Sequence, residues 1–333
     1  MNMRRILILI ALVGAGVLLT VNFGGFKQFL GILKHLQWYV IPLVILIQLG
    51  SYFANAKFYD SFFKLSDHYV TFIRLFKVSL AINFANQVLP SGGIAGTTYL
   101  SRTLAPDVPP GKATLAQLGR YVFSFLSYLP LLGLGFIITF FSGNIGRVSV
   151  RLILFIIIIT VTLGVGAIGY LSERSRMRKI VTPLVKFYNR VGKFIFRNSF
   201  KPLTPVEVGE FFDEFYSGYR DVMRKKGNWV RLLGWAMIGN IAEMATVYAT
   251  FIGFGVWANV GVVIIAYLIA IAASLLGPLT AGAGALEFGM VGGFTALGVP
   301  FALSFAVVIV YRFLNMILFL PPGFYFYRKD LIK

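Results

Sequence analysis

Four charged side chains lie within or beside apolar segments of the sequence: Arg120, Glu243, Glu287 and Arg312. A charge at the centre of a bilayer costs at least roughly 2.5–3.5 kcal/mol, so such residues are usually paired or face a polar cavity. Two guanidinium groups suit a phosphate, which they bind with bidentate geometry. A nearby carboxylate would contact an amine or balance the arginines. The structural alternative is a set of buried pairs, Arg120 with Glu287 or Arg312 with Glu243, that hold helices together.

The composition predicts an all-α polytopic membrane protein. Of the 333 residues 58% are hydrophobic and 13% are charged, and the mean hydropathy is +0.80, well above that of soluble domains. Six stretches are long enough to cross a bilayer as full transmembrane helices: Ile6–Val21, Trp38–Ala56, Thr114–Phe141, Leu152–Leu171, Trp229–Phe254 and Phe301–Tyr325. The first could be a cleaved signal peptide, but its apolar run continues past the candidate cleavage site, which favours a retained span.

The residue types needed for metal binding or nucleophilic catalysis are scarce. The sequence has no cysteine, which excludes disulfides, thiol nucleophiles and thiolate metal sites. Its two histidines, His35 and His68, fall near predicted helix ends. We therefore predict no cofactor, no metal site and no catalytic residue.

The positive charge is concentrated in one connecting segment. The net charge is +19, and 14 of the 31 Lys and Arg lie in residues 172–231. The positive-inside rule places this segment and both termini on the cytoplasmic side of the membrane. The predicted location is the cytoplasmic (inner) cell membrane. This sorting explains the charge without nucleic acid, which we do not expect as a partner.

Two further apolar stretches, Phe72–Leu89 and Val256–Leu276, are each followed by a Gly-rich segment. As plain crossings they would give odd numbers of spans between the cytoplasmic segments. Parity is restored if each forms a re-entrant hairpin, about Val70–Pro110 from the cytoplasm and about Val256–Leu297 from outside; 25 of the 31 Lys and Arg then face the cytoplasm. The alternative is eight plain crossings with a mixed charge distribution.

The two halves of the chain resemble each other. Matched features recur at offsets of 188 (Pro90 to Pro278), 192 (Arg120 to Arg312) and 191 (Pro130 to Pro321). Together with the parity argument, this predicts inverted repeats, the pattern that marks a transporter site near the membrane midplane. The predicted organisation is a first repeat at 1–171, a basic linker at 172–228 and a second repeat at 229–333. Alternatively, Gly and Pro merely ease helix packing.

The glycines of the two hairpins leave backbone N–H groups uncovered by side chains. Such irregular backbone is tolerated at membrane depth only where protein or a water-filled cavity shields it. Free N–H groups at the start of a short helix suit an anion. The glycines concerned include Gly92, Gly93, Gly96, Gly282 and Gly284.

The basic linker has the pattern of two amphipathic helices. Leu184, Phe187, Val191, Phe194 and Ile195 form an apolar stripe opposite four basic residues, which predicts a helix lying on an anionic leaflet. A second helix should follow the capping box Thr204–Glu207, with an apolar face of Val208, Phe211, Phe212, Phe215 and Tyr219.

Three segments carry a family resemblance: "NFANQVLPSGGIAG", "LGRYVFSFLSYLPLL" and "GPLTAGAGALEFGMVGGFTALGVPFALSFAVVIVYRFLNMILFLPPG". They resemble the lysylphosphatidylglycerol synthase transmembrane family, the flippase-like region of multiple peptide resistance factors. The resemblance implies translocation of phospholipids, and it matches Pro90, Gly92, Gly93, Gly96, Arg102 and Arg120 to one family block and Pro278, Gly282, Gly284, Glu287, Pro300 and Arg312 to another. Where the family commonly has Glu after the first Gly pair, this chain has Gly96–Thr98.

The sequence and the resemblance therefore predict a lipid translocase, not an enzyme, that moves anionic or aminoacylated phospholipid, or a related lipid-linked headgroup, between leaflets. The expected headgroup-binding residues are Arg120, Arg312, Glu287, Glu243, Gly92, Gly93, Gly96, Arg102, Gly282 and Gly284. The expected partners are membrane phospholipids and the anionic leaflet surface, with a homo-oligomer or a separate lipid-modifying enzyme as further options. Two alternatives stay open: a secondary transporter of a small polar or anionic solute, and a non-catalytic partner of a lipid- or glycan-modifying enzyme.

Overall fold

The computed structural model describes residues 36–88, 93–142, 205–274 and 284–331, with the single residues 162, 179, 183 and 189. Over these residues the chain is helical and contains no strand. Several predictions fall outside the described residues and stay predictions: the spans Ile6–Val21 and Leu152–Leu171, the amphipathic helix at 184–197, Thr204, and the hairpin residues Pro90, Gly92, Pro278 and Gly282.

Nine α-helices and one short 3-10 helix make up the described ranges. They are α1 (Val40–Leu65), α2 (Phe72–Val88), α3 (Ile94–Leu104), α4 (Pro110–Phe141), α5 (Pro205–Arg224), the 3-10 helix Lys226–Asn228, α6 (Trp229–Gly253), α7 (Val260–Ser274), α8 (Ala285–Ala296) and α9 (Phe301–Leu331).

Three of these helices, α1, α4 and α9, are long and apolar enough to span a membrane. Each begins within a few residues of a predicted span, but α1 runs on to Leu65 instead of ending near Ala56. The extension is stabilised by buried aromatic side chains, including Phe58, Tyr59 and Phe63. Helix α6 has 25 residues and carries Asn240 and Glu243 within its length.

The described helices fall into two sets with the same order of lengths. Helices α1 to α4 have 26, 17, 11 and 32 residues, and α6 to α9 have 25, 15, 12 and 31. The third helix of each set follows a glycine in the left-handed region, Gly93 (φ 90°) or Gly284 (φ 85°), a conformation that favours glycine. These two glycines lie 191 positions apart.

In each set, the second and third helices fold back on each other. After α3, Asp107 forms an ion pair with Arg74 in the first turn of α2, and Arg74 Nη2 also donates to the Thr103 carbonyl at 2.8 Å. In the second set, Gly293 of α8 packs on Ala266 of α7, and Gly289 packs on Ala273. The end of each third helix therefore lies near the start of the second.

The two sets pack against each other, because the fourth helix of each set contacts the second helix of the other. Helix α4 packs on α7, and α9 packs on α2. Helix α1 lies against α6, with Val40 beside Gly253 and Ala54 beside Gly239. Because the start of α1 meets the end of α6, these two corresponding helices run antiparallel.

Helix α5 closes one end of the bundle. Its predicted apolar face is confirmed, since Phe212, Phe215 and Tyr219 are buried against α1 and α4. Glu214 accepts a hydrogen bond from the backbone N–H of Gly111 at 2.9 Å. A carboxylate from α5 thus satisfies a free N–H at the N-terminus of α4 and complements the positive end of that helix.

The contact between α5 and α4 predicts a specific cost for a methyl group at Gly111. An added Cβ would lie 2.7 Å from the Cβ of Glu214 and from the backbone N of Phe215, so α5 would have to shift. We expect Gly111→Ala to destabilise the protein by roughly 1–3 kcal/mol, measured as a lower apparent Tm in detergent.

The matched control is Gly133→Ala in the same helix, where nothing lies within 4 Å of the added Cβ. It should be neutral or stabilising, by up to about 1 kcal/mol, because alanine is the better helix former. Equal melting temperatures for the two variants would contradict the packing of α5 on α4.

Candidate functional site

A layer of polar side chains crosses the interior between two apolar clusters. One cluster joins α1 to α5 with the first half of α6, and the other joins α4, α6, α7, α8 and α9. We call the residues between them the polar layer. Its members are Gln48, Ser51 and Asn55 of α1, Gln117, Arg120 and Ser127 of α4, Asn240, Glu243 and Thr246 of α6, and Tyr311 and Asn315 of α9.

Glu243 is held by three neutral donors. Its Oε1 accepts hydrogen bonds from Gln48 Nε2 at 2.7 Å and Ser51 Oγ at 2.9 Å, and its Oε2 accepts one from the Tyr311 hydroxyl at 3.3 Å. Thr246 donates to Gln48 Oε1 at 3.1 Å, which orients the amide. Among the described residues no cation lies within ion-pair distance of this carboxylate.

Arg120 is the opposite case, a cation without a carboxylate partner among the described residues. Its Nη1 donates a long hydrogen bond to Asn55 Oδ1 at 3.3 Å, and its guanidinium lies 5.0 Å from the centre of the Tyr121 ring. Its Nε is buried and has no hydrogen-bond partner. The guanidinium therefore has donor capacity to spare in the interior.

A second unsatisfied donor lies one turn earlier on α4. Gln117 is fully buried, and its Nε2 has no hydrogen-bond partner. Its Oε1 accepts a hydrogen bond from the Tyr59 hydroxyl. Because residues three apart share a helix face, the free donors of Gln117 and Arg120 lie on neighbouring positions of one surface.

Arg312, by contrast, is paired. Its Nε donates to Glu287 Oε1, which joins α9 to α8, and the two side chains are 32% and 24% exposed. Neither of the pairs expected as the structural alternative, Arg120 with Glu287 or Arg312 with Glu243, is formed. The two sequence-predicted arginines therefore have different surroundings.

The glycines of the first hairpin bring its backbone close to α2. The Gly96 N–H donates to Asn86 Oδ1 at 2.9 Å, and a Cβ at Gly96 would overlap the Asn86 side chain. A Cβ at Gly93 would overlap the Tyr121 hydroxyl. Arg102 lies in the last turn of α3 with an exposed side chain, away from the polar layer and near the end of α9.

In the second hairpin, Gly284 directly precedes α8 and places Glu287 in the first turn of that helix. Helix α2 also carries a polar face, since Gln87 donates to Asn83 Oδ1 at 3.0 Å and Asn83 donates to the Tyr52 hydroxyl at 2.6 Å.

Sequence reasoning missed several members of the polar layer. Gln48, Ser51 and Asn55 have i, i+3, i+7 spacing in an otherwise apolar helix, which places them on one face. That periodicity was available in the sequence. Gln117 and Asn315 each lie three residues from a sequence-predicted arginine, Arg120 or Arg312, a helical spacing that was also available in the sequence.

The family model described as the lysylphosphatidylglycerol synthase TM region matches residues 6–323. No significant match was found among curated proteins or among solved structures. The family match covers nearly the whole chain and confirms the resemblance carried by the glycine-rich and arginine-bearing segments.

The Arg312–Glu287 pair predicts non-additive mutational effects. Removing one partner leaves the other charge partly buried and unpaired, so Arg312→Met and Glu287→Gln should each lower stability by about 2–5 kcal/mol. The double variant should lose less than the sum, with a coupling energy of about 1–3 kcal/mol. The coupling energy is measured from the apparent Tm values, in detergent, of the wild-type protein, the two single variants and the double variant.

The matched control is the more exposed pair Arg74–Asp107, with side chains 37% and 35% exposed. The same double-mutant cycle at Arg74 and Asp107 should give a coupling energy below about 1 kcal/mol. Additive losses at Arg312 and Glu287 would show that the two side chains do not interact.

Proposed function

The chain belongs to the lysylphosphatidylglycerol synthase TM region family, and from this premise we propose that it is a lipid translocase. It moves phospholipid with a phosphate headgroup between the leaflets of the cytoplasmic membrane, and it carries out no covalent chemistry. The apolar helices and the family together establish a membrane protein related to lipid modification or translocation.

The observation that carries the proposal is the unpaired guanidinium of Arg120. A bare cation inside an apolar bundle is costly unless something neutralises it. The free Nε of Arg120 and the free Nε2 of Gln117 offer donors to one ligand, and guanidinium binds phosphate with two parallel hydrogen bonds. A lipid headgroup phosphate supplies both the charge and the acceptors, and its acyl chains stay in the surrounding bilayer.

The lengths of the short helices support the re-entrant hairpins. At about 1.5 Å per residue, the 17 residues of α2 span about 25 Å and the 11 residues of α3 about 16 Å. The 15 residues of α7 and the 12 of α8 are similarly short. Over the described residues none of the four reaches the roughly 30 Å of the hydrocarbon core, and the third helix of each set packs antiparallel to the second.

The antiparallel contact of α1 with α6 supports inverted repeats. If one set of helices maps onto the other by a two-fold rotation, an axis parallel to the helices would leave α1 and α6 parallel. The antiparallel pair instead requires an axis perpendicular to the helices, in the membrane plane. That symmetry is the one found in transporters whose halves expose a central site alternately to the two sides.

Basic residues gather at the end of the bundle that carries α5, which supports a cytoplasmic position for it. Lys225 donates to the Leu65 carbonyl at 2.8 Å, and Lys112 lies 3.6 Å from Asp221. Arg74 lies at the same end of the first hairpin. The first hairpin would then enter from the cytoplasm and the second from outside.

Translocation is tested in proteoliposomes of phosphatidylcholine and phosphatidylglycerol that contain acyl-chain NBD-labelled phosphatidylglycerol, with dithionite quenching of the outer leaflet. We expect the double variant Arg120→Ala, Arg312→Ala to lower the initial rate of lipid translocation about tenfold or more. The reason is that a charge-assisted hydrogen bond contributes about 1.5–3 kcal/mol. The Arg120→Ala single variant should account for most of the loss, since Arg312 is paired with Glu287.

The control is Arg231→Ala, which removes the same charge from an exposed position on α6 and should transport at the wild-type rate. A double variant with wild-type transport would rule out the roles given to the two arginines. Uptake of inorganic phosphate with no lipid movement would favour the alternative of a solute transporter, which uses the same anion chemistry.

The predicted membrane depth of the segments around Ser91 and Thr280 is tested by cysteine labelling, for which the cysteine-free chain is suited. Ser91→Cys and Thr280→Cys should react slowly with a membrane-impermeant maleimide added on either side. Asp67→Cys, at the basic end, should react only from the cytoplasmic side, and Trp257→Cys only from the outside. A Ser91→Cys protein that reacts from outside as fast as Trp257→Cys would mean that the first hairpin crosses the membrane completely.

A further inference from the structure

Glu243 is the carboxylate of the polar layer. It forms no salt bridge with another described residue, and phosphate binding by Arg120 does not involve it. We propose that Glu243 takes up one proton when an anionic headgroup binds at Arg120 and releases it when the headgroup leaves. Lipid and proton then cross together, and the step is electroneutral. This inference rests on the proposed lipid translocation and names its driving force.

The surroundings of Glu243 make it the group that changes charge. Two charged and several titratable groups lie around it: Arg120 and Tyr128 from α4, Tyr52 from α1, Tyr267 from α7, and Tyr311 with the adjacent Arg312 from α9. The tyrosines titrate near pH 10 in water and remain neutral at physiological pH. Arg312 is already balanced by Glu287, which leaves Arg120 and Glu243 as the two uncompensated charges.

The net charge of the polar layer then decides when the proton moves. With no ligand, the positive Arg120 and the negative Glu243 sum to zero. A phosphodiester headgroup, which carries one negative charge, leaves the layer at minus one when it binds, in a region where an unbalanced charge costs several kcal/mol. One proton on Glu243 restores neutrality, and its departure with the lipid resets the empty site.

The hydrogen bonds around Glu243 accommodate both states. As a carboxylate, it accepts from Gln48, Ser51 and Tyr311. Asn315, one turn after Tyr311, holds its amide within hydrogen-bonding reach of the Tyr311 hydroxyl, to which the amide NH2 group donates, and its buried Oδ1 has no donor. When Glu243 is protonated, its O–H donates to the Tyr311 oxygen, the Asn315 amide flips, and the Tyr311 O–H donates to Asn315 Oδ1. The acceptor left unsatisfied in the unprotonated state is thereby filled.

The test uses the same proteoliposomes with a pH difference or a membrane potential imposed separately, the potential by potassium and valinomycin. For wild-type protein, we expect a pH difference to shift the distribution of NBD-phosphatidylglycerol between leaflets by up to about tenfold per pH unit, the limit for one proton per lipid. A potential alone should shift nothing. An NBD-labelled phosphatidylethanolamine, which brings no net charge, should not respond to the pH difference.

Glu243→Gln tests the residue, because the amide keeps the shape and the acceptor oxygen but carries no titratable proton. Its distribution of labelled phosphatidylglycerol should not respond to the pH difference. Glu210→Gln makes the same chemical change on the exposed face of α5 and should behave as wild type. If Glu243→Gln moves no lipid, proton uptake by solubilised wild-type protein decides the question. It is measured with an indicator dye as the protein binds phosphatidylglycerol in weakly buffered micelles, and we expect uptake of about one proton.

Wild-type protein that moves lipid with no response to the pH difference, or that responds to potential instead, would overturn the proton coupling and leave the translocase proposal standing. A pH response that persists in Glu243→Gln would move the coupling to another group. Absence of lipid movement under every condition would overturn the translocase proposal itself.

Discussion

The cost of an unbalanced charge inside an apolar bundle is the constraint on which the structure depends. Two arginines, Arg120 and Arg312, and two acidic residues, Glu243 and Glu287, reach the interior of the bundle, and of these four only Arg312 and Glu287 form an ion pair. Arg120 and Glu243 form no direct ion pair: Arg120 contacts Asn55, Tyr59 and the Tyr121 ring, and Glu243 accepts hydrogen bonds from three neutral donors. A bundle that only needed stability would pair them or replace them with apolar side chains. Their separation is what makes the layer suited to a ligand of one negative charge.

The packing of the helices brings this layer together from distant parts of the chain. Helices α1 and α6 supply Asn55 and Glu243, and the fourth helix of each set, α4 or α9, places Arg120 or Tyr311 against them. The antiparallel contact of α1 with α6 joins the two halves of the layer. Helix α5 fixes the end of α4 through Glu214 and the close approach at Gly111. A helix outside the predicted membrane region therefore helps to set the position of the helix that carries Arg120.

Much of the helix content, but not the pairing of side chains, could be predicted from the sequence. Hydropathy located α1, α4, α6 and α9, and the apolar periodicity of the linker located α5, because both signals are local. The partner of Arg312 could not be predicted, since it depends on which face of α9 meets α8. The same holds for Gln117, whose free amide has meaning only beside Arg120. The sequence also suggested that Arg120 and Arg312 are counterparts at an offset of 192, whereas the paired glycines give 191.

That difference of one residue accounts for the unequal roles of the two arginines. At an offset of 191, Arg120 corresponds to Tyr311, and Tyr121 corresponds to Arg312. One residue turns a side chain by about 100° around a helix. Each half thus has a dipeptide, Arg120–Tyr121 or Tyr311–Arg312. Its first residue faces the first helix of the same set: Arg120 contacts Asn55 of α1, and Tyr311 contacts Glu243 of α6. The second faces the hairpin, where Tyr121 meets Asn86 and Arg312 meets Glu287. With Arg-Tyr in one half and Tyr-Arg in the other, one arginine is neutralised by its own hairpin and the other is left facing the interior.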